Sequence, residues 1–229
     1  MKTRIAPSLM CMDLMKVPEQ LAFFENRIHF YHVDIMDGHF VPNLTLSPSF
    51  IAQIRPHTKV AIDAHLMVAV PGNFIESCAR AGADYITMHA ETLSAVGFRN
   101  IKIIRDLGKK PGLAVNPETT LESTRHYLNL VDKVTIMTVD PGFAAQPFVP
   151  EMLEKIEELA AIRKRRGLDL LIEIDGSCNK NTYERMIRAG AEVLVMGSTG
   201  LFGIEKTLEL SWERMERELA AAEQAAGIK

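Results

Sequence analysis

The stretch Arg80-Ala-Gly-Ala-Asp-Tyr-Ile-Thr-Met88 contains the end of a helical segment, a glycine stop and the beginning of a strand. The same order returns in Arg188-Ala-Gly-Ala-Glu-Val-Leu-Val-Met196. A glycine directly after a helical segment is a common helix stop, and the β-branched and aromatic run behind it favours a strand. The two joints therefore indicate a chain in which helices and strands alternate, as in the α/β class.

On either side of these joints, eight short runs predict strands, each followed by a helical segment. The predicted strands are residues 4–7, 30–35, 60–66, 85–88, 111–115, 133–137, 170–174 and 193–196. The clearest helical segments are residues 47–54, 73–81, 97–107, 150–166, 179–189 and 204 to about 226. Eight such units in 229 residues have the number and size of a (β/α)8 TIM barrel. The pattern alone leaves a doubly wound open sheet as the alternative.

Composition and charge describe an ordinary globular domain. No linker, low-complexity tract or charge block divides the chain, so we predict one domain over residues 1–229. Hydrophobic residues make up 47% and charged residues 24%, which is enough to bury a full core. The formal net charge of −3 offers no polybasic surface for nucleic acid. An anionic substrate would have to be held locally, by backbone dipoles or by a metal ion.

Cysteine spacing and hydropathy give an expectation about location. Cys11, Cys78 and Cys178 are irregularly spaced and form no C-x-x-C pair, which disfavours a disulfide framework or a zinc ribbon. The first strand follows at once, without the pattern of a signal peptide, and no apolar run of about 18 residues occurs. We therefore expect a cytoplasmic protein without a membrane partner.

Polar residues gather at the predicted strand ends, where the chemistry of a barrel takes place. They are Ser8, His32, Asp34, Asp63, His65, His89, Glu91, Asn116, Asp140, Asp175 and Ser198. His32 and Asp34 are two residues apart on a strand and so face the same side. Asp63 and His65 repeat that spacing, and Asp175 could join them from across the barrel. Two histidines and two carboxylates suit a divalent ion such as Zn, Mn, Fe or Co.

These residues alone leave two interpretations open. H-x-D and D-x-H are weak patterns, and a histidine near a strand end is more often a satisfied polar residue than a metal ligand. Their joint placement at strand ends makes a metal site an equal alternative. His89 and Glu91 are expected to support the site at most, because four ligands already complete a shell.

Three loops rich in small residues follow the last three strands. They are Asp140-Pro-Gly-Phe-Ala-Ala-Gln146, Asp175-Gly-Ser177 and Gly197-Ser-Thr-Gly200. Barrels commonly bind phosphate after strands seven and eight, through backbone N–H groups that small residues leave accessible. No Lys or Arg lies in these loops, so amides would hold the anion. One such loop would favour a simple turn, but three in succession favour phosphate.

The sequence resembles the ribulose-phosphate 3-epimerase family over nearly its whole length. The resemblance is carried by Ala6-Pro-Ser8, His32-Val-Asp-Ile-Met-Asp-Gly-His-Phe-Val-Pro-Asn43, Asp63-Ala-His-Leu-Met67, Met137-Thr-Val-Asp-Pro-Gly-Phe143 and Glu173-Ile-Asp-Gly176. The second of these phrases is highly specific. By analogy with the family we expect the protein to be a homo-oligomer. We expect it to bind a small sugar phosphate.

The resemblance also implies the site residues. It places one divalent metal ion (Zn, Mn, Fe, Co or Mg) on His32, Asp34, His65 and Asp175, with Asp34 and Asp175 as the acid/base pair. Ser8 and His65 would touch the substrate. Phosphate would lie on Gly142, Phe143, Ala144, Ala145, Gly176, Ser177, Gly197, Ser198 and Thr199. Met36, Met67 and Met137 would form an apolar cap, whereas the residues alone favour core filler.

Details within the family favour a hexulose phosphate as substrate. Leu9-Met-Cys-Met-Asp13, Asp140, Pro147 and Ser177-Cys178 look closer to D-allulose-6-phosphate 3-epimerases than to the pentose enzymes. The predicted reaction interconverts D-allulose 6-phosphate and D-fructose 6-phosphate through a cis-enediolate. The alternative is the conversion of D-ribulose 5-phosphate to D-xylulose 5-phosphate, as the main or a side activity. Ala145 departs from the family, which usually has glycine there, so its Cβ could crowd the phosphate.

Two other classes on the same scaffold are less favoured. A decarboxylating lyase would look like Asp-x-Lys-x-x-Asp at a strand end, and that phrase does not occur. A non-catalytic sugar-phosphate binder would not need two opposed carboxylates on a metal ion.

Overall fold

The computed structural model describes residues 2–228, in which parallel strands alternate with helices. The strands are β1 (Arg4–Pro7), β2 (Phe30–Met36), β3 (Ala61–Met67), β4 (Tyr85–His89), β5 (Lys110–Val115), β6 (Lys133–Met137), β7 (Leu171–Asp175) and β8 (Val193–Met196). The α-helices are α1 (Val17–Phe24), α2 (Pro48–Ile54), α3 (Gly72–Ala81), α4 (Gly97–Asp106), α5 (Met152–Arg166), α6 (Tyr183–Ala189) and α7 (Leu208–Ala225).

Strand order closes the sheet into a barrel. Each strand from β2 to β8 pairs in parallel with its neighbour in the chain, and β1 pairs with β8. A bridge between Ser8 and His32 then joins the end of β1 to β2. A doubly wound sheet would reverse its strand order partway along. The predicted TIM barrel is therefore confirmed, and the open sheet is excluded.

The repeated joints form as the glycine pattern predicts. Gly82 ends α3 with a φ of 103° and Gly190 ends α6 with a φ of 117°, both in the left-handed region. A side chain adopts that region only at a cost, so glycine is the favoured residue at each stop. The chain then turns directly into β4 and β8.

The fifth unit differs from the expectation that a helical segment follows every strand. Between β5 and β6 the structure has only a short 3-10 helix, Leu121–Thr124. The hydroxyl of Ser123 donates to the Thr120 carbonyl, and that of Thr124 donates to the Leu121 carbonyl. Such local bonds compete with a continuous helix and accompany the 3-10 turn in this part of the chain.

The barrel interior is divided into an apolar end and a polar end. Phe30 and Tyr85 meet edge to face, with ring centroids 5.3 Å apart, and plug the end where the strands begin. Above this plug the inward side chains are polar, and most of them lie on β2, β3, β6 and β7. The candidate site thus lies at the carboxyl ends of the strands. In residues 2–228 no helix is long and apolar enough to cross a membrane.

Candidate active site

Four predicted metal ligands converge at the carboxyl end of the barrel. The strand register places Asp34 of β2 beside His65 of β3, while Asp175 ends β7. One atom from each of His32, Asp34, His65 and Asp175 lies within 4.8 Å of the others. His32 Nε2 is 3.0 Å from His65 Nδ1, 3.2 Å from Asp34 Oδ1 and 3.4 Å from Asp175 Oδ2. The structure therefore assembles the set that the resemblance implied.

The spacing of these atoms fits a divalent cation. Tetrahedral bonds of about 2.0–2.1 Å would place the ligand atoms about 3.3–3.4 Å from one another. His65 Nδ1 lies 3.3 Å from Asp34 Oδ1 and 3.5 Å from Asp175 Oδ2, close to that value. Two imidazole nitrogens and two carboxylate oxygens are also a donor set that such ions prefer. The four residues can therefore hold one ion.

The charges at the site favour a cation as well. Burial opposes protonation of His32, but the carboxylates of Asp34, Asp175 and Asp63 outweigh it and raise the pKa of that imidazole well above its ordinary value. Burial likewise opposes ionisation of Asp34, yet His32 and His65 hold the pKa of that carboxyl well below its usual range. The carboxylates that stabilise a proton on His32 would also stabilise a metal ion, because both carry positive charge.

The second nitrogen of His32 faces a buried charged cluster. His32 Nδ1 lies 3.2 Å from Asp63 Oδ2, and Lys133 Nζ lies 2.5 Å from both Asp63 Oδ2 and Glu173 Oε1. Burial disfavours the Lys133 ammonium, but Asp63 and Glu173 outweigh it and raise its pKa. His32, Asp63 and Glu173 are close enough to hold a second ion, but the ammonium already lies against both carboxylates.

Sequence reasoning did not assign Lys133 or Glu173 a role. Lys133 begins a predicted strand and Glu173 belongs to a family phrase, but neither position signals an ion pair. A basic residue at the start of a mostly apolar β strand was the available signal.

A second chain of contacts lies behind His65. His65 Nε2 is 2.8 Å from His89 Nε2, and His89 Nδ1 is 3.4 Å from Glu91 Oε2. If His65 Nδ1 faces the ion, its Nε2 carries hydrogen and donates to His89. Burial lowers the pKa of His89, which favours the neutral ring needed to accept that bond. The supporting position expected for His89 and Glu91 matches this geometry.

A pocket opens directly above the four converging residues. Every predicted substrate-contacting residue lines it except His65, which is fully buried beneath. These lining residues are Ser8, Met36, Met67, Met137, Gly142, Phe143, Ala144, Ala145, Asp175, Gly176, Ser177, Gly197, Ser198 and Thr199. The pocket is further lined by Met10, Cys11, Asp34, Val139, Asp140, Pro141, Gln146, Cys178 and Val195.

The three methionines form an apolar wall. Met36 and Met67 pack with Val41 in a small apolar cluster, and Met10 packs against it. Met137 lies at the end of β6, and all three methionines are nearly buried yet line the pocket. The three methionines therefore fit both the core-filler and the apolar-cap interpretation, since the same side chains fill space and face the pocket.

The small-residue loops adopt left-handed backbone conformations beside the pocket. Gly142 and Gly176 have φ values of 119° and 118°, which favour glycine. Ala145 and Ser177 reach 61° and 52°, a conformation that costs a side-chain-bearing residue about 1–2 kcal/mol. Ala145 thus keeps a backbone conformation that glycine adopts easily, despite its departure from the family. The hydroxyl of Ser198 is buried without a protein hydrogen-bond partner among the described residues, so it is available to a ligand.

Gly200 allows two of the loops to meet, which gives a testable prediction. A Cβ at Gly200 would lie 2.1 Å from the Cys178 carbonyl oxygen. Gly200→Ala must therefore separate the loops after β7 and β8, at a cost of about 1–3 kcal/mol. If that cost falls on substrate binding, KM should rise by about 5- to 150-fold, as steady-state kinetics would measure. Gly72→Ala, whose Cβ would come no closer than 3.4 Å to its nearest neighbour, Asn100 Oδ1, is the control. Equal KM values in both variants would contradict the prediction.

Comparison with known proteins places the chain in a family. A family model described as "Ribulose-phosphate 3 epimerase family" matches residues 4–202. A Synechocystis sp. protein named ribulose-phosphate 3-epimerase is 42% identical over 196 residues, which cover 85% of each chain. The Bacillus subtilis protein of the same name is 39% identical over 197 residues, 85% of this chain and 90% of its own. The Rhodobacter capsulatus protein of that name is 39% identical, covering 97% of this chain and 96% of its own.

Solved structures support the fold alone. The structure titled KGPDC from Streptococcus mutans has a TM-score of 0.70 at 12% identity, covering 97% of this chain and 99% of that one. A 3-hexulose-6-phosphate synthase from Salmonella typhimurium has a TM-score of 0.64 at 16% identity, covering 96% and 100%. The family match and the close relatives carry the assignment: the chain belongs to the ribulose-phosphate 3-epimerase family.

Proposed function

We propose that the protein is a metal-dependent 3-epimerase that interconverts D-ribulose 5-phosphate and D-xylulose 5-phosphate. The observation that carries this proposal is the pair Asp34 and Asp175, whose oxygens meet two histidines at the base of one pocket. Local sequence details favour a hexulose phosphate as substrate. Relatives at 36–42% identity are named ribulose-phosphate 3-epimerase, however, and we give their support for a pentulose phosphate more weight.

Inversion at C3 requires a proton to leave one face of the substrate and another to arrive on the opposite face. The C2 carbonyl makes the C3 proton acidic. A divalent ion held by His32, Asp34, His65 and Asp175 would stabilise the negative charge that develops on the substrate oxygens. Asp34 and Asp175 come from β2 and β7, on opposite sides of the β1–β8 pair. One carboxylate accepts the proton while the other donates, and the roles exchange in the reverse direction.

The surroundings of the two carboxylates suit these roles. Asp34 Oδ1 faces the histidines, while its Oδ2 accepts a hydrogen bond of 2.7 Å from the Ser8 hydroxyl. That bond fixes the carboxylate plane of Asp34 at the pocket floor. The Asp175 side chain is 16% exposed and that of Asp34 is 4% exposed, so Asp175 is the more open to the pocket.

The phosphate end of the substrate is proposed to lie on the small-residue loops. No Lys or Arg lines the pocket within the described chain, so the available donors include backbone N–H groups and the hydroxyls of Ser198 and Thr199. The methionine wall would exclude water from the reacting carbons, which strengthens electrostatic interactions there.

D-allulose 6-phosphate is the second candidate substrate, because the local departures that favour it mostly line the pocket. The pocket lining includes five of these departures, namely Met10, Cys11, Asp140, Ser177 and Cys178. A substrate longer by one carbinol unit would require a change of several residues that line the pocket.

A paired kinetic assay separates the two substrates. We expect both to react, with kcat/KM on D-ribulose 5-phosphate higher by about 10- to 200-fold, since one carbon unit discriminates modestly. A higher kcat/KM on D-allulose 6-phosphate would replace the first candidate by the second. Binding without deuterium incorporation at C3 in D2O would instead indicate a sugar-phosphate binder and overturn the epimerase proposal.

A further inference from the structure

Asp63, Lys133 and Glu173 form a buried ion cluster beneath the four candidate ligands. The side chains of all three are about 1% exposed, and Lys133 Nζ lies 2.5 Å from an oxygen of each carboxylate. Thr87 donates to Asp63 Oδ1 at 2.7 Å, and Thr135 donates to Glu173 Oε1 at 2.8 Å. Each carboxylate is therefore held by an ammonium and a hydroxyl.

Stability alone gives a weak reason for such a cluster. Removing three ionised groups from water is costly, and a buried ion pair often adds no more stability than apolar residues of similar volume. The barrel has an apolar plug immediately below, in which Phe30 and Tyr85 pack together. Apolar side chains at the height of Lys133 could therefore fill the same space without the cost of burying charges. We therefore look for the role of the cluster in the groups that it contacts.

The contact that matters is with His32. Its Nδ1 lies 3.2 Å from Asp63 Oδ2, while its Nε2 faces the other three candidate ligands. An ionised carboxylate can only accept a hydrogen bond. His32 Nδ1 has no aligned hydrogen-bond partner among the described residues, so the negative charge of Asp63 beside it, rather than a formed bond, favours the tautomer of His32 with hydrogen on Nδ1 and a lone pair on Nε2.

We propose that the Asp63–Lys133–Glu173 cluster is a positioning device that presents the Nε2 lone pair of His32 to the metal ion. Asp63 makes the contact, and Lys133 and Thr87 fix the two oxygens of its carboxylate. Glu173 holds the ammonium from the opposite side. The inference rests on the metal site of the proposed function and adds residues that touch neither ion nor substrate.

Metal affinity in the absence of substrate tests this inference. In Asp63→Asn the amide can present its NH2 group to His32 Nδ1 and favour the opposite tautomer. Affinity for Co2+ should then fall about 10- to 100-fold, as a competing chelator dye would measure on metal-free protein. Excess Co2+ should restore much of the lost kcat, whereas KM should change little.

Two further variants distinguish positioning from structural support. Thr87→Val keeps the volume and all three charges but removes one bond to Asp63, so a smaller, several-fold loss of Co2+ affinity is expected even if Asp63→Asn folds poorly. Asp84→Asn weakens the partly buried pair with Arg55, 3.0 Å away, and the bond that Asp84 Oδ2 accepts from the Ile62 N–H, and it serves as the matched control because Asp84 contacts neither His32 nor the cluster. It should lower the melting temperature without changing Co2+ affinity.

The outcomes separate this inference from the proposed function. Co2+ affinities of folded Asp63→Asn and Thr87→Val equal to that of the wild type would overturn the positioning role alone. Failure of the wild-type protein to bind Co2+, Zn2+ or Mn2+ would overturn the metal-dependent function and, with it, the positioning role.

Discussion

Asp175→Asn is expected to lower kcat by about 10²- to 10⁴-fold while the protein stays folded and keeps a divalent ion, since general acid–base catalysis contributes that much. Asparagine keeps the shape of Asp175 and one oxygen toward His32 Nε2, which lies 3.4 Å from Asp175 Oδ2. It cannot accept and return a proton. Epimerisation therefore fails in both directions, because each direction uses both carboxylates.

The effect of Asp175→Asn is measured by steady-state kinetics together with metal content per chain. Asp106→Asn is a suitable control, because Asp106 is exposed and pairs only with Lys102 among the described residues. The control should retain wild-type kcat. Turnover of Asp175→Asn close to that of the wild type, at equal metal content, would refute the two-carboxylate scheme.

Removal of the metal ion is expected to have the second large effect. Stabilisation of developing charge by a divalent ion contributes several kcal/mol, so metal-free protein should lose about 10³-fold or more in turnover. Readdition of Zn, Mn, Fe, Co or Mg should restore it to different extents.

Metal removal should also lower the melting temperature. An ion present at about 1,000 times its Kd stabilises the folded state by about 4 kcal/mol, which corresponds to about 8–16 °C for a chain of this size. Differential scanning fluorimetry with and without chelator measures the shift. Full turnover by protein shown to be free of metal would contradict the metal-dependent function.

The fold was largely predictable because its signals are local. The glycine stops at Gly82 and Gly190 and the short β-branched runs required no knowledge of distant contacts. The missing α-helix between β5 and β6 was not predicted, because a helix was expected there from the strand–helix repeat rather than from the residues themselves, among which Ser123 and Thr124 form local hydroxyl bonds. Barrel closure itself became clear only from the strand order.

The candidate site was predictable in part for the same reason. A two-residue spacing places His32 and Asp34 on one face of β2, and it does the same for Asp63 and His65 on β3. Asp175 joined them through the family resemblance, because spacing cannot relate β7 to β2. The contact of Lys133 with Asp63 joins β6 to β3 across the barrel interior, and no sequence pattern reports a contact of that kind.

The scheme of two opposed carboxylates is tested most directly by deuterium exchange at C3 in D2O, followed by NMR for Asp34→Asn and Asp175→Asn. Each variant keeps one proton carrier, so each should exchange the C3 proton of one epimer without inverting it. The two variants should act on opposite epimers, while the wild-type protein labels both. Exchange of the same epimer by both variants, or inversion by either at the wild-type rate, would contradict the assignment of Asp34 and Asp175 to opposite faces.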